Sequence, residues 1–382
     1  MGNSPHNRQP TTPNPPPHFP DFHYLYLSNL RFMRILTVLL LIPLSFSCSP
    51  DSEQNKIIGV KIYEYAGDAG RLVSQWVDMG INTAFVSTTL AADTAFRKVL
   101  GEHNIAVFVI FPVFQDPEAL KSDSTLFAIT DKGALAKDDW VEFVCPSRTA
   151  FRRQKVSAMA KMIRDTDPEG VSLDFIRQFV FWERVYPDRT AESLDRACFC
   201  DSCLTGFTAM YDYHIPDTCI TTQQKAGYVL SHYAVAYNDY RTGLIASMVK
   251  ELAEQAKALK PTIRINVHFV PWRSGDFGDA ITGVAGQDLK KIAPFADYIS
   301  PMCYSQMLKR DDHWITSVVS AMNRTAPGKI LPSIQVYPYY IDTPFDADDF
   351  RKCVKAALKD SSLGVVFWSW PLFEKDPERK IF

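Results

Sequence analysis

Eight short apolar segments alternate with segments of helical periodicity along most of the chain. The apolar segments cover residues 57–63, 82–88, 105–111, 171–176, 263–269, 297–304, 330–337 and 363–370. Amphipathic helical spacing occurs between them, at residues 71–79, 94–102, 150–164, 227–259, 287–292, 313–323 and 347–358. Eight strands that alternate with helices over roughly 320 residues are typical of a (β/α)8 barrel. The sequence therefore predicts an α/β fold, a single TIM barrel, with a long insertion after strand 4 at about residues 179–222.

The structural alternative is an open, doubly wound sheet. No glycine-rich phosphate-binding loop follows the first strand, and this argues against that alternative. Polar and aromatic residues instead gather where the predicted strands end, namely at 63–65, Asp174, His268, Tyr304 and 368–370. The carboxyl ends of the strands form the rim at which TIM barrels carry their active sites.

The composition narrows the possible partners. The chain has 382 residues, of which 46% are hydrophobic and 13% aromatic, and this is enough apolar material for a large core. Its 41 basic and 43 acidic residues leave a formal charge of −2. Because nucleic-acid-binding proteins need a basic surface, this balance argues against a nucleic-acid partner.

The N-terminal segment has the pattern of an export signal. Residues 1–32 begin with a proline-rich stretch, for which we expect disorder or a position upstream of the true start at Met33. A basic residue, an apolar run at 35–46 and Cys48 follow, and 33–47 resembles a bacterial lipoprotein signal peptide, although Ser45 replaces the usual leucine. The resemblance implies lipidation of Cys48, a tether at 48–56, a barrel domain at 57–382 and attachment to the outer membrane of a bacterial cell envelope, facing the periplasm or the surface.

Three cysteines within six residues form the most compact motif of the chain. Cys198, Cys200 and Cys203 have a spacing that can wrap a tetrahedral zinc ion if a fourth ligand is present. Cys145, Cys219 and His214 are the candidates for that fourth ligand. Disulfide bonds remain an alternative because the chain is expected to be exported.

The segment from Val144 to Ser147, with Cys-x-Cys-x2-Cys and Phe207 after strand 4, resembles the zinc-carrying β-galactosidases on TIM barrels. The resemblance implies a structural zinc ion held by Cys145, Cys198, Cys200 and Cys203, and no catalytic cofactor. The catalytic residues of those enzymes, an Asn-Glu pair after strand 4 and a glutamate on strand 7, do not transfer. This chain has 174–177 (Asp-Phe-Ile-Arg) and 333–335 (Ser-Ile-Gln) at those places.

Asp174 lies within an otherwise apolar strand. A carboxylate there is costly unless it is paired or faces a polar site, so Asp174 is either an active-site residue or the ion-pair partner of Arg177. The sequence at 173–177, together with 300–304 at the end of strand 6, resembles glycoside-hydrolase-like TIM-barrel proteins over most of residues 57–373. That resemblance implies an enzyme that cleaves glycosidic bonds.

Glycoside hydrolysis requires two carboxyl groups, one of which donates a proton. Glu183 is the second candidate, because its neighbours in the Phe-Trp-Glu sequence are apolar rings that would raise its pKa. We therefore expect Asp174 to be the nucleophile or base and Glu183 the acid. Glu183 could instead be a solvated loop residue, and Glu64, Asp276 and Asp279 are competing carboxylates.

Aromatic and polar residues near the strand ends are candidates for binding sugar rings and hydroxyl groups, although each could equally be a core residue. They are Glu64, Arg177, Trp182, His268, Trp272, Tyr304, Trp368 and Trp370.

The leading hypothesis is an exported, lipid-anchored glycoside hydrolase acting on a polysaccharide or oligosaccharide. One alternative is a non-catalytic glycan-binding lipoprotein, which keeps the aromatic rim and needs no matched carboxyl pair. A metal-dependent hydrolase is a weaker alternative, because four thiolates would leave zinc no open position.

Overall fold

The computed structural model describes residues 56–359 and 362–380. The predicted upstream segment, signal peptide, lipidated Cys48 and nearly all of the tether fall outside these residues. Within the described part, every helix is too short or too polar to cross a membrane.

Eight parallel strands form the centre of the molecule. They are β1 Ile57–Ile62, β2 Thr83–Val86, β3 Ala106–Pro112, β4 Gly170–Asp174, β5 Arg264–Phe269, β6 Tyr298–Pro301, β7 Ser333–Gln335 and β8 Gly364–Trp368. Their order in the sheet is β6-β5-β4-β3-β2-β1-β8-β7. Parallel bridges from Ile299 to Ile330 and from Met302 to Ser333 join the two edges next to β6 and β7. The sheet therefore closes into the predicted (β/α)8 barrel.

Helices cover the outside of the barrel and occupy its connections. They are α1 Ala69–Asp78, α2 Thr88–Ala92, α3 Thr94–Glu102, α4 Pro117–Ser122, α5 Thr149–Thr166, α6 Asp201–Tyr211, α7 Thr222–His232, α8 Ala234–Leu259, α9 Ala280–Gly283, α10 Leu289–Ile292, α11 Asp312–Asn323, α12 Ala347–Ala357 and α13 Trp370–Phe373. The helix predicted at 227–259 is two helices, because Tyr233 leaves the helical conformation between α7 and α8. Its ring stacks on Tyr213 with centroids 4.2 Å apart, a long-range contact that helical periodicity cannot reveal.

Side chains fill the interior of the barrel in two layers, one apolar and one polar. At the end where the strands begin, Phe85, Phe108, Ile110, Leu331 and Val366 form a separate apolar cluster. Gly170 on β4 makes room for this cluster, since a Cβ atom there would lie 2.1 Å from the ring of Phe108. Because successive strand residues alternate between the two faces, the next inward positions along the strands form a second layer. That second layer is polar and carries the site.

Two long connections lie at the carboxyl end of the barrel. The first, between β3 and α5, includes a short hairpin of Lys137–Asp138 and Val141–Glu142. The second, the predicted insertion after β4, contains short 3-10 turns at Trp182–Arg184 and Ala191–Ser193, followed by α6. The two connections contact each other, because the Phe199 amide donates a 2.8 Å hydrogen bond to the Ile129 carbonyl. Together they form one side of the rim.

Candidate functional site

A cavity of about 300 Å³ opens at the carboxyl end of the barrel. Asp174 closes β4 and faces this cavity, and only 9% of its surface is exposed. The strand ends abruptly there because Phe175 adopts a positive φ of 48°. That backbone turn lets the Phe175 amide donate a 2.8 Å hydrogen bond to Asp174 Oδ1.

The second carboxylate oxygen of Asp174 faces β5. Asp174 Oδ2 lies 3.4 Å from Nδ1 of His268. Burial by itself would raise the pKa of Asp174. The neighbouring His268 and Lys61, together with the Phe175 amide, outweigh burial and hold the pKa of Asp174 below its usual value.

Lys61, near the carboxyl end of β1, lies on the other side of the same imidazole. Lys61 Nζ is 3.3 Å from His268 Nδ1 and 3.3 Å from the hydroxyl of Tyr304. Burial lowers the pKa of His268 to about 3, so its ring is neutral, and it lowers the pKa of Lys61 to about 8, so the ammonium keeps its proton at neutral pH. With the imidazole neutral, the positive charges that help to keep Asp174 ionised are those of Lys61 and Arg177.

Hydroxyl and amide groups of the polar layer orient His268 from below. Ser172 Oγ lies 2.8 Å from His268 Nε2, and Asn266 donates a 2.7 Å hydrogen bond to the same Ser172 oxygen. Ser300 in turn donates a 2.8 Å bond to the side-chain oxygen of Asn266. These residues come from β4, β5 and β6, so the strand register itself determines how the imidazole is held.

Glu183 enters the cavity from the insertion after β4. It lies on the 3-10 turn Trp182–Arg184, and its exposed fraction is 9%. Burial raises the pKa of Glu183 to about 7, and the nearby Arg177 only partly opposes this effect. Its Oε2 atom is buried and has no hydrogen-bond partner among the described residues. Below about pH 7 the cavity thus holds one ionised and one protonated carboxyl group.

Arg177 lines the cavity as well, but the described structure shows no ion pair between it and Asp174. Its Nη1 atom donates to the carbonyls of Gln178 at 3.2 Å and Val180 at 2.7 Å. Its guanidinium lies over the ring of Phe143, 4.7 Å from the ring centroid. The purely structural alternative for Asp174, pairing with Arg177, therefore receives no support from the geometry.

Aromatic rings supply most of the remaining surface of the cavity. Tyr304 and Trp368 are stacked with centroids 4.8 Å apart, and Trp182 lies 5.7 Å from Tyr304. At the rim, the indole N–H of Trp140 donates a 2.9 Å hydrogen bond to the hydroxyl of Tyr340. The cavity is thus flanked by flat apolar faces with polar groups beneath them, a common arrangement in sites that bind small polar ligands.

The remaining predicted residues lie outside this cavity. Glu64 is exposed beyond the end of β1. Trp272 borders a different cleft, which also contains Asp276 and Asp279. Trp370 is buried against Trp76, with ring centroids 5.7 Å apart, and is a core residue. Among the predicted binding residues, Arg177, Trp182, Tyr304 and Trp368 line the cavity, and His268 lies beneath Asp174.

Three polar or aromatic residues of the cavity lining carried no prediction from the sequence: Lys61, Trp140 and Tyr340. Tyr63, which also lines the cavity, belongs to the predicted group at 63–65. Lys61 left a signal, because a lysine between Val60 and Ile62 in an apolar strand requires a buried partner. Trp140 and Tyr340 come from loops that are distant in sequence, and no local pattern brings them together.

The four cysteines that were predicted to bind zinc lie together at a second place, beside the two long connections. The sulfur atoms of Cys145, Cys198, Cys200 and Cys203 lie within 4.8 Å of one another, and all four residues are buried. The amide of Ile129 donates to Cys198 Sγ at 3.3 Å. All four cysteines are free thiols. Four sulfur ligands are a donor set that suits a structural metal ion, so this cluster could hold one. Cys219 and His214 border a separate surface pocket.

Comparison with known proteins identified no relative by sequence: no family model matches the chain, and no curated protein matches it. Solved structures are similar in fold. The PgaB (BpsB) glycoside hydrolase domain from Bordetella bronchiseptica has a TM-score of 0.65 at 10% identity, covering 85% of this chain and 97% of that one.

Two β-galactosidases are also similar. The enzyme from the psychrophilic Marinomonas ef1 has a TM-score of 0.60 at 10% identity, covering 82% of this chain and 54% of that one. The enzyme from Bacillus circulans sp. alkalophilus has a TM-score of 0.58 at 13% identity, covering 83% and 50%. The chain thus spans about half the length of these β-galactosidases. At such identities the similarity shows a fold shared with glycoside hydrolases.

The raised pKa of Glu183 predicts a pH-dependent stability difference. Burial raises this pKa from 4.5 to about 7, so the stabilisation from the bound proton is complete below pH 4.5 and is lost as the pH rises through 7. Relative to Glu183→Gln, which cannot titrate, the free energy of unfolding of the parent should fall by about 3 kcal/mol between pH 4.5 and 8. Urea unfolding at both pH values measures this, with the exposed Glu64→Gln as control. A constant difference between parent and Glu183→Gln would contradict the raised pKa.

Proposed function

We propose that this chain is a glycoside hydrolase that acts on a polysaccharide or oligosaccharide. The observation that carries the proposal is the pair of buried carboxyl groups with opposite pKa shifts in one cavity: Asp174 is held ionised and Glu183 is held protonated up to about pH 7. Two carboxyl groups in different protonation states are what hydrolysis of a glycosidic bond requires.

In this proposal, Glu183 donates its proton to the oxygen of the leaving group. Its pKa of about 7 suits the role, because the group keeps its proton near neutral pH and still releases it readily. The Oε2 atom has no hydrogen-bond partner among the described residues, and the glycosidic oxygen would supply one.

Asp174 acts from its ionised state, as nucleophile or as base. His268 and the Phe175 amide hold its two oxygens in place, and Lys61 supplies the compensating charge. A carboxylate that is oriented before the substrate arrives needs little rearrangement in the transition state. The stacked rings of Tyr304 and Trp368 would contact the apolar face of a sugar ring.

The proposal predicts separable effects of two substitutions on reducing-end release from a broad panel of glycans. Asp174→Asn should lower kcat by roughly 1000-fold or more, because no other described carboxylate lines the cavity in an ionised state. Glu183→Gln should lose activity on glycans but retain it on a dinitrophenyl glycoside of the same sugar, whose leaving group needs no proton. In the parent, kcat/KM should fall above about pH 7, as Glu183 ionises, and the variant should lack this decline.

The matched control is Glu64→Gln, which removes an exposed carboxylate outside the cavity and should leave the rates unchanged. Full turnover by Asp174→Asn would remove this residue from the mechanism. Glycan binding without bond cleavage, by parent and variants alike, would instead indicate the non-catalytic glycan-binding protein.

We further propose that the four-cysteine cluster binds structural zinc. Its four sulfur donors would close the coordination shell, so zinc would connect Cys145, in the β3–α5 connection, to the insertion after β4. The same two connections contribute Trp140 and Glu183 to the cavity, so the cluster would stabilise one side of the site.

Purified protein should contain one equivalent of zinc by elemental analysis. Cys200→Ser should lose the metal and have a lower Tm. Cys219→Ser, which lies outside the cluster, should keep both the metal and the Tm of the parent. Metal-free parent protein with an unchanged Tm would contradict this proposal, as would disulfide bonds among these cysteines in the mass spectrum of the native protein.

A further inference from the structure

The charges that line the cavity do not balance. Lys61 and Arg177 are 1% and 2% exposed, and the carboxyl groups beside them in the described lining are Asp174 and Glu183. Burial lowers the pKa of Lys61 to about 8 and that of Arg177 to about 10, so both remain cationic at neutral pH. Below about pH 7, Glu183 is protonated. Under those conditions two positive charges face one full negative charge in a place from which water is mostly excluded.

Arg177 has hydrogen-bonding capacity that the protein does not use. Its Nη1 atom is occupied by the carbonyls of Gln178 and Val180, and stacking on Phe143 holds the guanidinium plane. Its Nη2 atom is buried and has no acceptor among the described residues. A buried charged donor without an acceptor is costly, and Arg177 is one of the residues that line the cavity, where a ligand could supply the acceptor.

Lys61 also has hydrogen-bonding capacity that the protein does not use. Its bond to the Tyr304 hydroxyl uses one of the three ammonium N–H groups, and a second is used only in the tautomer whose His268 Nδ1 accepts. Its charge is shared with Asp174 through the imidazole and is not cancelled by a direct ion pair in the described structure. The polar layer beneath it consists of neutral groups, from Ser172, Asn266 and Ser300. An anionic ligand would thus meet at least one free donor of Lys61 and, with Arg177, the excess positive charge of the cavity.

We propose that the cavity accepts a sugar residue bearing a negatively charged substituent, a carboxylate or a sulfate ester, with Arg177 Nη2 as its main hydrogen-bond donor. Lys61 offsets the remaining charge of the bound anion. The planar guanidinium, held on Phe143, suits both oxyanions. This inference rests on the proposed function for its sugar class but assigns Arg177 and Lys61 a role that hydrolysis itself does not require.

The test compares charged glycans with neutral glycans of identical linkage. Polygalacturonate, alginate and hyaluronan are offered to the full-length protein beside their carboxyl-reduced forms, and carrageenan and chondroitin sulfate beside their desulfated forms. Binding is measured by calorimetry and cleavage by reducing-end release. We expect binding to at least one charged polymer and a loss of affinity of roughly 10- to 100-fold for its neutral form. The carboxylate and sulfate arms distinguish the two sources of charge.

Substitutions then assign the recognition. Arg177→Met and Lys61→Met should each lower the ratio of charged-glycan to neutral-glycan affinity by roughly 10-fold or more and reduce the salt dependence of charged-glycan binding. Arg177→Lys should restore part of the affinity. Lys98→Met is the matched control, since it removes one positive charge from an exposed side chain on α3. The polymer comparison needs no variant, so a misfolded Arg177→Met protein does not prevent the test.

Each outcome separates the inference from the proposed function. Cleavage of a neutral form as fast as its charged form would overturn the inference and leave the glycosidase intact. Tight binding of a charged glycan without cleavage would support the inference and contradict hydrolysis. Absence of binding to every charged polymer would overturn the inference, whatever happens with the neutral ones.

Discussion

The contact between Asp174 and His268 is the interaction on which the candidate site depends. A buried carboxylate is stable only if nearby groups compensate its charge. Here His268 Nδ1 lies between Asp174 Oδ2, at 3.4 Å, and Lys61 Nζ, at 3.3 Å. A neutral imidazole can donate to the carboxylate or accept from the ammonium through this one atom. In either tautomer the imidazole lies between two opposite charges that are not in direct contact.

The register of the barrel strands brings these three side chains together. Lys61, Asp174 and His268 occupy inward positions of β1, β4 and β5, at the level where the interior changes from apolar to polar. The acid comes from elsewhere: Glu183 lies on a short turn in the insertion after β4. A rigid scaffold therefore holds the ionised group, while a connecting segment carries the protonated one. The cysteine cluster joins that insertion to the neighbouring connection.

Much of this could be predicted from the sequence, because the informative patterns were local. Alternating strands and helices predicted the barrel, which is confirmed. The polar residue at the end of an apolar strand identified Asp174, and the apolar neighbours of Glu183 indicated its raised pKa, which the structure also gives. The spacing of the cysteines left three candidates for the fourth ligand, the resemblance to zinc-carrying β-galactosidases implied Cys145, and the folded chain brings Cys145 to the other three.

The features that the sequence did not reveal depend on the direction in which side chains point and on contacts between residues that are distant in the sequence. Trp370 and Trp368 are two residues apart, yet one packs in the core against Trp76 and the other lines the cavity. The Trp140–Tyr340 contact joins loops 200 residues apart in the sequence. Lys61 was overlooked because a single charged residue does not interrupt the apolar pattern of a strand.

The protonation states of the two carboxyl groups test the central claim most directly. Infrared difference spectroscopy of the parent, Asp174→Asn and Glu183→Gln detects the carbonyl band of a protonated carboxylic acid. The band should be present at pH 6, should disappear with an apparent pKa near 7, and should be absent in Glu183→Gln but retained in Asp174→Asn. If no protonated carboxyl group is seen at pH 6, or if Asp174→Asn removes the band, the assignment of acid and carboxylate is contradicted.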